Sequence, residues 1–225
     1  MTWSSVYEQL FRDLGVACDA THGVSAPAIE AAELELDVTL PAALRDFYLV
    51  AGSHPFCRAY NRLLGPAGLS REPAHLVIAE ENQNAVCWGV RLDSLLDGAR
   101  EDDPQVWQAV NSEPMKWFAQ EASVSEFLRI MLYWQAVNGG FEFAGAAPLG
   151  ETSLAQVEAT WPKIADHDGL TIFAKPEQVV CVMGPKDDLQ VLAAGSTLAA
   201  FHEIDRQLRV TWDWSALQAA EAATS

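Results

Sequence analysis

A chain of 225 residues, half of them hydrophobic and a fifth charged, can bury a substantial core and is far in composition from a disordered chain. Its 31 acidic residues outweigh 14 basic ones and leave a formal charge of −17, which opposes binding to phosphate backbones or anionic membranes. The sign favours a basic protein partner, although the same charge also serves solubility alone.

Taken in chain order, Val6, Tyr7, Leu10, Phe11 and Leu14 recur at helical spacing and predict an opening amphipathic helix over 4–14. Gly15 and the polar stretch around Thr21, His22 and Gly23 break it. Ser25 and Pro27 then supply a cap and a proline-tolerant first turn for a second helix that runs to about Leu36. The segment 40–52 carries the clearest pattern, with Pro41 just inside a helix start, Leu44, Phe47, Tyr48 and Ala51 on one stripe, and Gly52 as terminator.

Beyond it the period changes. Leu76 to Ala79 and Val86 to Val90 predict neighbouring strands, and 123–137 returns to helical spacing until Asn138-Gly139-Gly140 stops it. Leu170 to Phe173, Val179 to Met183 and Leu189 to Ala193 predict three strands, the last two joined by a turn over 184–188. A final helix from Thr197 to Leu208 should bury Leu198, Phe201, Ile204 and Leu208. This order is α+β, without the strict alternation of a doubly wound parallel sheet. Glycines and prolines between Gly139 and Pro162 would suit a linker, but the last three strands are expected to complete the earlier sheet, giving one domain over 1–225.

Four ordered pieces resemble the SMI1/KNR4 superfamily, also called SUKH. They are Glu33-Leu34-Glu35-Leu36 followed by Leu40-Pro41 and the Arg45-Asp46-Phe47-Tyr48 helix ending at Gly52; Ile78-Ala79-Glu80-Glu81-Asn82-Gln83; Val86-Cys87-Trp88-Gly89-Val90; and the strand and helix from Leu189 to Leu208 before Trp212. The resemblance covers about Glu30 to Trp214. It implies an α+β fold with a twisted, mainly antiparallel sheet and helices packed around it, and no catalytic constellation. It also implies a protein-binding role, either as an immunity protein neutralising a cognate toxin, often a nuclease, or as a regulatory or signalling scaffold. The segment 144–168 is longer than the family core needs and reads as an insertion.

Chemistry-bearing motifs are few. His22, His54, His75, His167 and His202 follow no metal-ligand spacing, and His202-Glu203 has Arg206 where a zinc-protease helix needs its second histidine. Asp166-His167-Asp168-Gly169 suits either a cation or a polar turn. Neither GxSxG nor a phosphate-binding glycine loop occurs, so the expectation is a non-enzyme without metal or cofactor. Cys18, Cys57, Cys87 and Cys181 are too dispersed for a CxxC unit, the N-terminus lacks signal-peptide character, and uncharged runs such as 130–141 are too short to cross a bilayer. A cytoplasmic protein with reduced thiols is the expectation.

Of eight tryptophans, Trp88 and Trp134 are expected in the core, whereas Trp107 and Trp117 have polar neighbours and suit core or surface equally. Asp93, Asp97, Glu101, Asp102 and Asp103 crowd around the single cation Arg100, which describes a solvated loop or an acidic lip for a basic partner. The candidate partner-binding residues are therefore Asp97, Glu101, Asp102, Asp103 and Trp107, the last as an aromatic anchor.

Overall fold

A computed structural model describes residues 2–96, 101–185 and 187–217, and they form helices and two antiparallel sheets, an α+β protein. The chain divides into two compact units, residues 1–10 with 17–131, and residues 11–16 with 132–225.

The first unit begins in α1 (Trp3–Leu14), whose Tyr7 and Leu10 are buried. Next comes α2 (Ala26–Leu36), with Ser25 at the N-cap position although its side chain makes no capping hydrogen bond. This helix ends on Asp37, whose left-handed backbone (φ 50°) turns the chain so that the Val38 N–H reaches the Glu33 carbonyl at 3.1 Å. In α3 (Ala42–Ala51), Pro41 is the cap rather than the first helical residue. The expected stripe is real: Leu44, Phe47, Tyr48 and Ala51 are all buried, and the Tyr48 hydroxyl donates to the Leu64 carbonyl at 2.7 Å.

The strands β1 (Arg62–Leu63), β2 (Ser70–Arg71), β3 (His75–Glu80), β4 (Val86–Arg91), β5 (Gln105–Val110) and β6 (Lys116–Ser123) form the first sheet in the order β1-β3-β4-β5-β6, with β2 also on β3. After β6 follows α4 (Val124–Gln135), which closes in a wide turn over 136–140 where Gly139 takes a φ of 116°. Trp88 is half-buried rather than core: its ring tilts against Phe127 of α4 at 5.7 Å, and its indole N–H donates to Gln108. Trp134 is half-buried too.

In the second unit, β7 (Phe143–Pro148), α5 (Glu151–Thr160), β8 (Lys163–His167), β9 (Leu170–Lys175), β10 (Gln178–Met183), β11 (Gln190–Gly195), α6 (Leu198–Leu208) and β12 (Trp214–Ser215) follow. The late strands do not complete the first sheet. They build a second one, β12-β7-β11-β10-β9-β8, because β7 covers one side of β11 and β8 extends β9. The segment 144–168 thus supplies a strand, a helix and a second strand to this sheet. Phe201, Ile204 and Leu208 of α6 pack with Trp161, Phe173, Val180 and Val191 in its core. Leu198, expected in that core, is exposed: it is the first helical residue, and the buried residues of α6 begin at Ala200. The Asp168-Gly169 pair is the two-residue hairpin turn between β8 and β9, both residues at positive φ. That turn accounts for the polar cluster around His167, with Asp166 accepting from Lys163.

Candidate functional site

The candidate acidic residues that the structure describes lie in the turn after β4 and in the stretch before β5. Asp93 lies in the short helical turn 92–95 after β4, and its carboxylate pairs with Arg91 on that strand, which holds the carboxyl below its ordinary range. Asp97 and Arg100 lie outside the described residues. Glu101 and Asp102 are exposed, and their backbone is pinned: the Glu101 N–H donates to the Ser94 carbonyl and the Asp102 carbonyl accepts from the Ala43 N–H, both at 2.9 Å. Their position is therefore set by main-chain bonds, and their side chains face water.

Asp103 has a different task. One of its oxygens accepts from the Ser125 backbone N–H at 2.8 Å, and the other from the hydroxyls of Ser123 at 2.8 Å and Ser125 at 2.7 Å. It caps the first turn of α4 from outside the helix, satisfying a donor that has no partner within it.

Trp107 is half-buried on β5, opposite Gly89 on one side and Ala119 on the other. Its ring carries the Arg91 guanidinium 5.6 Å from the centroid and lies 5.6 Å from the His75 ring. Trp117 reaches from β6 across Gly89 and stacks on His75 at 4.0 Å with an 11° tilt. The crossing depends on glycine, because a Cβ at position 89 would stand 2.6 Å from the Leu76 carbonyl oxygen and 3.1 Å from the Trp117 ring. On the same face of the sheet Val77, Cys87 and Ala109 form a small buried cluster, with Leu64, Met115 and Trp117 packed against it.

His75 was not singled out by sequence reasoning. Its side of β3 is covered by two indoles, it is only 7% exposed, and both ring nitrogens are buried without a hydrogen-bond partner. Burial, followed by the nearby Arg91 charge, holds the imidazole below its ordinary pKa, so it is a neutral ring within an aromatic stack. The only sequence signal was its place one residue before the apolar run from Leu76 to Ala79.

A separate cleft of about 880 Å³ in the same unit is bordered by His54, Cys57, Arg58, Arg62 and Glu80. Its cysteine and histidine are not a nucleophile and base. The Cys57 thiol donates to the Ala51 carbonyl and burial pushes its pKa up to about 12, while His54 accepts from the Phe56 N–H and contacts the Ala17 carbonyl. Each is engaged by backbone, and the thiolate needed for attack is disfavoured. Among the described residues, no three His, Cys, Asp or Glu side chains are grouped to hold a metal ion, and no helix is long and apolar enough to cross a membrane.

The chain matches no protein-family model, no curated protein and no solved structure.

Proposed function

We propose that this chain is a non-enzymatic, cytoplasmic protein-binding protein, and that it neutralises a basic toxin domain in the manner its SMI1/KNR4-like motifs imply. The observation that carries the reading is the pinned acidic loop: Glu101 and Asp102 are held in place by their backbones while their carboxylates stay exposed, next to the turn of Asp93. In a chain of charge −17, such a loop attracts a basic partner and orients it before contact. Trp107, stiffened by Arg91 and by its place in a sheet, offers a rigid half-exposed ring beside that turn. The backbone-bound Cys57 and His54 also fit a protein that binds rather than reacts.

The test starts with the immobilised chain and a lysate of its source cells. The retained protein is identified, expressed alone, and then expressed together with this chain. Growth arrest relieved by co-expression supports neutralisation. A partner that is harmless on its own would place the chain with regulatory scaffolds instead. For the purified pair, Glu101→Gln with Asp102→Asn should slow association several-fold at low salt and flatten its salt dependence. An association rate that the double change leaves unaltered would move the docking face elsewhere.

A further inference from the structure

The turn that carries Asp93 also forms one wall of a groove. Leu92, Leu95 and Leu96 face Leu34 and Val38 across a hollow of about 520 Å³ between that turn and the end of α2. Leu34 is 84% exposed and Leu96 61% exposed. A single exposed leucine is ordinary, but two that line the same concave surface, beside a buried Leu95, form an apolar patch with a shape. Leu34 falls outside the buried face of α2, which is made by Ile29 and Ala32, so the core does not need it.

The groove's border is acidic. Glu30, Glu33 and Asp37 line it, and Asp37 projects almost wholly into water. Two cations answer these three carboxylates: Arg45 bonds Glu33 at 2.8 Å and Glu30 at 3.3 Å, and Arg71 donates to the Leu36 carbonyl and stands 3.9 Å from Asp37. The border therefore stays negative. Glu101, fastened to Ser94 in the same turn, adds to the approach.

We infer that this groove receives a basic amphipathic segment of a partner protein, with aliphatic side chains seated between Leu34 and Leu96 and Lys or Arg against Glu30 and Asp37. The inference rests on the protein-binding reading and adds a location and a chemistry to it. A second copy of this acidic chain would bring like charge to the border, and an anionic membrane would do the same. A basic segment satisfies both the floor and the border. The apolar anchor then lies with the leucines, and the carboxylates act on the encounter.

The experiment uses the full chain and a labelled peptide composed of leucine and lysine, its leucines at helical i, i+3, i+4 spacing. Two companion peptides replace leucine by serine or lysine by glutamate. Fluorescence anisotropy should show the leucine–lysine peptide bound at least about tenfold more tightly than either companion, and weakened about tenfold by Leu34→Ser with Leu96→Ser. Leu198→Ser, at an exposed leucine of the second unit, should change nothing. Both groove leucines are exposed, so their loss should leave the fold intact. Equal affinity for wild type and the double leucine variant, equal binding of the serine companion, or no binding of the leucine–lysine peptide would each overturn the inference. A cellular partner that loses affinity on Glu101→Gln with Asp102→Asn, yet binds the leucine variant normally, would end the groove assignment and leave the binding reading standing.

Discussion

Replacing Asp103 by alanine removes three hydrogen bonds at once, those from the Ser125 N–H, the Ser125 hydroxyl and the Ser123 hydroxyl. The backbone donor is the costly one, since at the start of α4 it has no helical acceptor, and losing such a cap costs about 0.5–2 kcal/mol. The two part-buried hydroxyls can turn towards water, so each adds less than about 1 kcal/mol. Together the change should cost about 2 kcal/mol, and Asp103→Asn, which keeps one acceptor oxygen, about half of that. Asp102→Ala is the matched control. Its side chain is exposed and its structural contact is made by the backbone carbonyl, so it should stay within about 0.5 kcal/mol of wild type. Urea denaturation at neutral pH measures the difference, and hydrogen exchange over 124–131 locates it in the first turns of α4. If Asp103→Ala and Asp102→Ala unfold at the same urea concentration, the capping assignment is wrong. The result also governs how binding is tested, because a variant neutralised at 101, 102 and 103 together would mix a folding defect with a charge effect.

Two further outcomes follow from the first unit. Phe47→Ala, at a residue 1% exposed whose ring meets Tyr7 edge-on at 5.3 Å, should cost about 3–5 kcal/mol in the same denaturation assay; a loss below about 1 kcal/mol would contradict its core position. His75 is held below its ordinary pKa by burial and by Arg91, with Asp93 acting in the opposite sense, so the unfolded chain takes up a proton that the folded one refuses as pH falls below about 6.5. Its contribution is therefore complete at neutral pH and is lost on acidification, and His54, depressed chiefly by burial, behaves alike. His75→Phe keeps a ring to stack on Trp117 but cannot titrate, so it should flatten the fall in stability between about pH 7 and 5; an unaltered slope would show that the ring is already wet.

Apart from α5, which lies in the stretch read as a linker or insertion, the helices were legible in the sequence because their information is local. In α3 the stripe of Leu44, Phe47, Tyr48 and Ala51 can share only one helical face, and the cap and terminator stand beside it. Strand existence was readable on the same basis for β3, β4, β9, β10 and β11, but strand partnership was not. Nothing local says that β11 pairs with β7, and Phe143–Pro148 looks like a linker because its residues are small. They are small for a packing reason: a Cβ on Gly145 would stand 2.8 Å from the Trp212 ring and 3.1 Å from Phe201. The strands β5 and β6 escaped for another reason. In β6 extra residues between Ala119 and Ser123, opposite Gln105 to Trp107, interrupt the two-residue period, and half of its side chains are exposed at the sheet edge; in β5 only Val106 and Ala109 are buried, too few for an apolar signal.

Of the candidate site, the charge was legible in the sequence and the division of labour among its carboxylates was not. In sequence Glu101, Asp102 and Asp103 are three neighbouring carboxylates with no basis for distinguishing them. Folding turns the third towards Ser123 and Ser125 and leaves the first two to solvent. Leu34 was likewise read only as part of an acidic helical motif, and its partner across the groove, Leu96, is separated from it by a helix, four strands and several turns. An acidic run can set how fast a basic partner arrives, since Coulomb attraction extends over about 10 Å at moderate salt. It contributes little once the charges are hydrated in the complex. Slow dissociation needs apolar surface taken out of water, and the groove leucines and Trp107 offer such surface in the same unit. The two contributions should therefore separate in kinetics, with changes at 101 and 102 moving the association rate and changes at 34 and 96 moving dissociation.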